Sequence, residues 1–157
     1  MAIASDNKPQ IEYKHLKIVY RIKKAKLPIY IVSAEAHEKL YAMKVYPYED
    51  NQISPYYKLE SRFIPLSHPH VISILDCNPK KKANINDQAQ TVSYILLELA
   101  PYGDFYNLIF EKKIPKDEIL ARTYFRQLIE GIEYLHSKDV AHMDLKLDNI
   151  LLGENFL

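Results

Sequence analysis

Val140-Ala141-His142-Met143-Asp144-Leu145-Lys146-Leu147-Asp148-Asn149-Ile150-Leu151-Leu152 sets an aspartate, a lysine and an asparagine at fixed offsets between a His-initiated turn and an apolar run. Polar groups this dense between hydrophobic neighbours point to chemistry rather than to a solvated turn. Asp144 can accept a proton or orient a hydroxyl. Lys146, two residues on, can neutralise a phosphate, and Asn149 offers a carbonyl oxygen to a hard cation such as magnesium.

Upstream of this stretch the apolar period is helical. Ile119, Leu120, Tyr124, Phe125, Leu128, Ile129, Ile132 and Leu135 predict a long helix over about 115–137, and Phe105, Leu108 and Ile109 a short one after Pro101-Tyr102-Gly103-Asp104. Farther upstream β-branched and aromatic residues predict strands over 11–20, 29–32 and 40–46, the last after a polar hairpin at 35–39. Ser54-Pro55 reads as a helix start, a capping hydroxyl before proline at the first helical position, and Pro65 ends that helix after about three turns. The turn His68-Pro69-His70 leads to a fourth strand over 71–76, a lysine-rich loop over 78–90 and a fifth strand over 91–99. Strands with one helix, then helices only, give an α+β chain in two lobes. Its expected parts are a disordered lead over 1–10, a strand-rich lobe and hinge over 11–100, and a helical part over 101–157.

The stretch at 142–149 resembles the catalytic loop of eukaryotic protein kinases, H-R-D-L-x-x-x-N, with Met143 where arginine is usual. Asp144 followed by Lys146 looks like the serine/threonine group. Tyr41-Ala42-Met43-Lys44-Val45 is similar to that family's third-strand motif V-A-I-K. The resemblance covers about 11–157 and implies a five-stranded antiparallel small lobe with one helix, followed by the first helices and catalytic loop of the large lobe. It implies transfer of the γ-phosphoryl of ATP to a protein hydroxyl, with ATP and Mg2+ bound.

On that resemblance Lys44 would pair with the nucleotide's α and β phosphates, Asp144 would orient the hydroxyl, Lys146 would stabilise the transferring group, and Asn149 would bind magnesium. Ala42 and Leu151 match the apolar walls above and below the adenine. Ile95-Leu96-Leu97-Glu98-Leu99-Ala100 is similar to the strand and hinge between the lobes. There Leu97 would be the gatekeeper, Glu98 and Ala100 would offer backbone groups to the adenine, and Asp104 would face the ribose or the substrate. The family partner of the lysine is a glutamate on the following helix. Glu60 is the only acidic residue between Asn51 and Leu66. It stands one residue closer to the His-Pro turn than is usual, a rotation of about 100° on a helix, so a surface glutamate stays open as an alternative.

Two departures bear on activity. The family covers the phosphates with G-x-G-x-x-G, because glycine lets the backbone approach closely. Here the corresponding stretch is Ile22-Lys23-Lys24-Ala25-Lys26-Leu27, and the first glycine of the chain is Gly103. Lysines there could hold phosphates by charge or simply line an exposed strand. The D-F-G motif expected after the catalytic loop is also missing, since the sequence ends at Leu157, so a truncated kinase domain is expected. A kinase-like module without catalysis, binding a protein partner, is the alternative. Replacement of the arginine by Met143 further implies that activation-loop phosphorylation would not be the switch.

Totals narrow the remaining classes. With 157 residues, 48% hydrophobic and 26% charged, the chain is an ordinary globular length and composition. No apolar run is long enough for a membrane helix, and the start has no signal-peptide core, so cytoplasm or nucleus is expected. Twenty-one basic against 20 acidic residues argue against a polyanion-binding protein, and no nucleic-acid motif accompanies the lysines. Cys77 is the only cysteine, which excludes an internal disulfide. The expected partners are a protein substrate or a docking protein. The apolar circumference of the long helix is expected to offer a surface for a partner or for self-association.

Overall fold

The computed structural model describes residues 16–22, 27–34, 37–85 and 88–154. The expected disordered lead at 1–10, the start of the first predicted strand at 11–15, the lysines at 23–26 and the tail at 155–157 lie outside the described residues. So does part of the expected hairpin, at 35–36.

Six strands form the first lobe: β1 (Leu16–Ile22), β2 (Ile29–Ala34), β3 (His37–Glu49), β4 (Gln52–Ile53), β5 (Ile74–Ile85) and β6 (Gln88–Glu98). Five of them make the expected antiparallel sheet, in the order β1-β2-β3-β6-β5. The two-residue β4 folds back on β3 through Asp50-Asn51, both at positive φ. A hairpin turn with two left-handed residues suits this Asp-Asn pair.

Residues 78–85 and 88–90, expected to lie in a loop, are instead strand: β5 runs to Ile85 and β6 starts at Gln88. Ile85 is buried in the sheet's core and Ala83 packs on it, which holds the distal ends of these strands down. Register shifts between Asn78 and Lys81 accommodate Pro79, whose carbonyl accepts a 2.7 Å hydrogen bond from Ser93 Oγ. Proline is tolerated because β5 is an edge strand. Lys80, Lys81 and Lys82 remain exposed, and charge on an edge discourages pairing with another chain.

Alternation along β3 assigns its residues to two faces. Tyr41, Met43 and Val45 join Tyr30, Val32, Val92, Tyr94 and Leu96 in one buried cluster. Tyr46 faces the other way, with Ile95 of β6 and Tyr57 of helix α1 (Pro55–Glu60). Helix α1 is shorter than the three turns expected. It ends at Glu60 and tightens into a 3-10 turn, Ser61–Phe63, before Pro65 removes a further donor. Ser54 holds the cap position before Pro55, but its hydroxyl makes no capping bond.

The second part contains α2 (Phe105–Phe110), α3 (Glu118–His136) and a 3-10 turn at Leu147–Asn149. Asp104 and Asp117 cap the two helices, accepting from Asn107 N and Leu120 N, each at 2.8 Å. The turn at 67–70 docks on α3. Ser67 N donates to Tyr134 Oη at 2.9 Å, and the His68 ring stacks on Tyr134 at 4.9 Å between centroids. Gly131 makes the approach possible, since a Cβ there would lie 2.8 Å from the His70 carbonyl oxygen. Among the described residues no helix is long and apolar enough to cross a membrane.

Candidate functional site

Lys44 is carried by β3 and Glu60 by the last turn of α1. The lysine Nζ lies 2.6 Å from Glu60 Oε2 and 2.9 Å from Oε1. The alternative of a surface glutamate is therefore not what the fold shows. One acceptor does double service: Tyr46 Oη also donates to Glu60 Oε2, at 2.6 Å. Sequence reasoning missed Tyr46, although its spacing of two from Lys44 on one strand places both on one face.

Register places the apolar candidates near this pair. Ala42 is opposite Leu97 and Lys44 opposite Ile95, so Ala42, Lys44 and Leu97 share a face of the sheet. Glu98 continues β6 into the connection between the lobes. Its N–H donates to Ser73 O at 3.2 Å and its carboxylate accepts from Ser73 N at 2.6 Å. Any backbone contact from Glu98 to a ligand would have to come from its carbonyl. The carbonyl of Ala100 accepts from Gly103 N at 3.3 Å.

Asp104 is drawn into α2: its carboxylate accepts from Asn107 N and, at 2.6 Å, from Asn107 Nδ2. Leu151 bridges to Asp104, and Leu152 N donates to Gly103 O at 2.9 Å. The connection between the lobes and the end of the 142–152 stretch are thus tied together. Leu152 is buried, whereas Leu151 is about half exposed.

The stretch itself is a compact polar cluster. Lys146 Nζ lies 3.0 Å from Asp144 Oδ1 and 2.9 Å from Oδ2. Asn149 Nδ2 donates to Asp144 Oδ2 and to the Asp144 carbonyl, both at 2.8 Å. Asp144 N donates to His142 Nδ1 at 3.3 Å, and Met143 between them has φ of 63° with its side chain in solvent. A non-glycine residue in the left-handed region is held there by its surroundings. The Lys146 and Asn149 hydrogen bonds hold the Asp144 carboxyl below its ordinary range, and Asp144 in turn raises Lys146.

Because Asn149 spends its amide donors on Asp144, its Oδ1 is oriented as an acceptor. Among the described residues no three His, Cys, Asp or Glu side chains converge to hold a metal. Asn149 Oδ1 is a single oxygen of the kind that a magnesium ion carried by phosphates and water would take.

Residues 28–156 match the family described as the protein kinase domain. The chain belongs to this family. Similar kinases include the mouse Hormonally up-regulated neu tumor-associated kinase, 38% identical over 90 residues, which are 57% of this chain and 11% of the relative. The Serine/threonine-protein kinase CHK1 of Saccharomyces cerevisiae is 39% identical over 89 residues, 56% of this chain and 15% of the relative. The human NUAK family SNF1-like kinase 1 is 37% identical over 90 residues, 57% of this chain and 12% of the relative. The matched part of the chain is a small share of each relative's length. Membership agrees with the antiparallel sheet, its single helix and the partial set of large-lobe helices.

Proposed function

We propose that this kinase domain serves transfer of the γ-phosphoryl of ATP to a serine or threonine hydroxyl of a protein. The observation that carries the reading is the Asp144, Lys146 and Asn149 cluster, in which each polar atom is aimed by another. The new bond joins the acceptor hydroxyl oxygen to the γ-phosphorus, and the bond to the bridging β-γ oxygen breaks to release ADP. Asp144, depressed in pKa, is a weak base, so its part is to orient the hydroxyl and receive its proton as the bond forms. Lys146 stabilises the phosphoryl oxygens and Lys44, backed by Glu60, holds the α and β phosphates. Ala42, Leu97 and Leu151 line the adenine, Glu98 and Ala100 offer it backbone groups, and Asp104 borders the ribose side. Asn149 supplies an oxygen to a magnesium ion, which would neutralise phosphate charge.

The test is transfer of radiolabelled phosphate from Mg-ATP to casein. Asp144→Asn is expected to lower the rate by about 100-fold or more, the usual weight of a positioned acid-base group. A second reading, nucleotide or protein binding without catalysis, draws on the absence of glycine before Gly103. Bound nucleotide with no Asp144-dependent transfer would select it.

A further inference from the structure

Glu60 is the last residue of a six-residue helix, and the chain beyond it is already a 3-10 turn. A helix this short orients its terminal side chain poorly by itself. The carboxylate is nonetheless engaged from two sides, by the Lys44 ammonium and by the Tyr46 hydroxyl. Tyr46 is fully buried. Its ring lies 5.6 Å from Lys44 Nζ and takes the edge of Tyr57, itself on α1, at 5.7 Å and 77°. The same side chain therefore touches the lysine, the glutamate and the helix that carries the glutamate.

We propose that Tyr46 is a positioning residue for the phosphate-holding lysine: its hydroxyl fixes Glu60 toward β3, and its ring backs the Lys44 ammonium. Burial, and after it the hydrogen bond to Glu60, push the Tyr46 phenol far above the ordinary tyrosine range, so it stays a donor throughout the physiological range. The arrangement compensates for the early end of α1 and for the rotation of Glu60 that its spacing implies. A phenylalanine at 46 would keep the ring behind Lys44 and leave Glu60 with one partner in place of two. This inference rests on Lys44 acting at a nucleotide phosphate.

The experiment compares the chain with its Tyr46→Phe variant by nuclear magnetic resonance, with and without millimolar Mg-ATP. In the absence of nucleotide, the Glu60 13Cδ and Lys44 15Nζ signals are expected to move in Tyr46→Phe, while far-ultraviolet circular dichroism stays the same. Affinity for ATP is expected to fall about five- to tenfold, the weight of one typical net hydrogen bond. Lower thermal stability with both signals and the affinity unchanged would show a merely structural tyrosine and overturn the proposal. If the parent chain binds no nucleotide, the reading of Lys44 fails, and the two side-chain signals alone decide whether Tyr46 positions the pair. If Tyr46→Phe does not fold, the parent protein decides. A slowly exchanging Tyr46 hydroxyl proton with a contact to the Glu60 methylene supports the proposal, and its absence overturns it.

Discussion

At the scale of single residues the catalytic-loop cluster is an electrostatic device in open solvent. Asp144 is depressed and Lys146 raised by their mutual contact, with Asn149 as the second influence on the aspartate. For a depressed carboxyl, the folded state is favoured above the unfolded pKa, and that contribution is lost as pH falls through the folded pKa. Both side chains are exposed, so the effect belongs to the loop and not to global unfolding. Titration of Asp144 by carboxyl resonance should therefore give a midpoint below the ordinary aspartate range. In Lys146→Met the midpoint should rise toward that range. An unchanged midpoint would mean that the contact at 2.9 Å is not kept in solution. The residues of this cluster were legible in the sequence because their spacing is fixed within eight positions. Tyr46 was not, since its hydroxyl gains meaning only when α1 folds back over β3 and brings Glu60 to it.

At the scale of elements, two helices show how local geometry sets the site. Asp104 accepts from both the backbone and the side chain of Asn107, so α2 starts at a fixed point beside the connection between the lobes. Asp104→Ala should destabilise by about 1 kcal/mol in denaturant unfolding, the common effect of losing an N-cap. Glycine 131 presents the opposite case. In a solvated helix Gly→Ala would stabilise by about 1 kcal/mol. Here the added Cβ meets the His70 backbone oxygen at 2.8 Å, where no flexible side chain can give way. Overpacking of this kind costs about 1–3 kcal/mol, so Gly131→Ala should destabilise, and a gain in stability would show that the 67–70 turn does not rest on α3. The existence of most strands and of the long helix was readable from period. The extent of β5 was not, because Pro79 and three lysines look like loop until Ile85 and Ala83 are seen to pack on the sheet core. The length of α1 was overread because Ser54-Pro55 marks where a helix starts and says little about how far it runs.

At the scale of the whole molecule, the nucleotide binding proposed above would draw on both lobes. The sheet supplies Ala42, Lys44 and Leu97 on one face, and the large lobe supplies Leu151, tied back through Asp104 and Gly103. On that proposal the apolar walls for an adenine are present, while hold on the phosphates would rest mainly on Lys44. A backbone cradle built on glycine has no counterpart before Gly103, and lysine side chains, which lose rotamer freedom on ordering, are a weaker substitute. Mg-ATP should accordingly bind in the millimolar range. Ligand present at its dissociation constant stabilises a fold by only about 0.4 kcal/mol. For a chain of this size that is a rise of about 1 °C in Tm. Lys44→Met should remove even this, because the mutation deletes the one cation that Glu60 and Tyr46 hold in place. A saturable rise of several degrees at micromolar Mg-ATP, lost in Lys44→Met, would instead mean that the glycine-free stretch at 22–27 grips phosphate by charge.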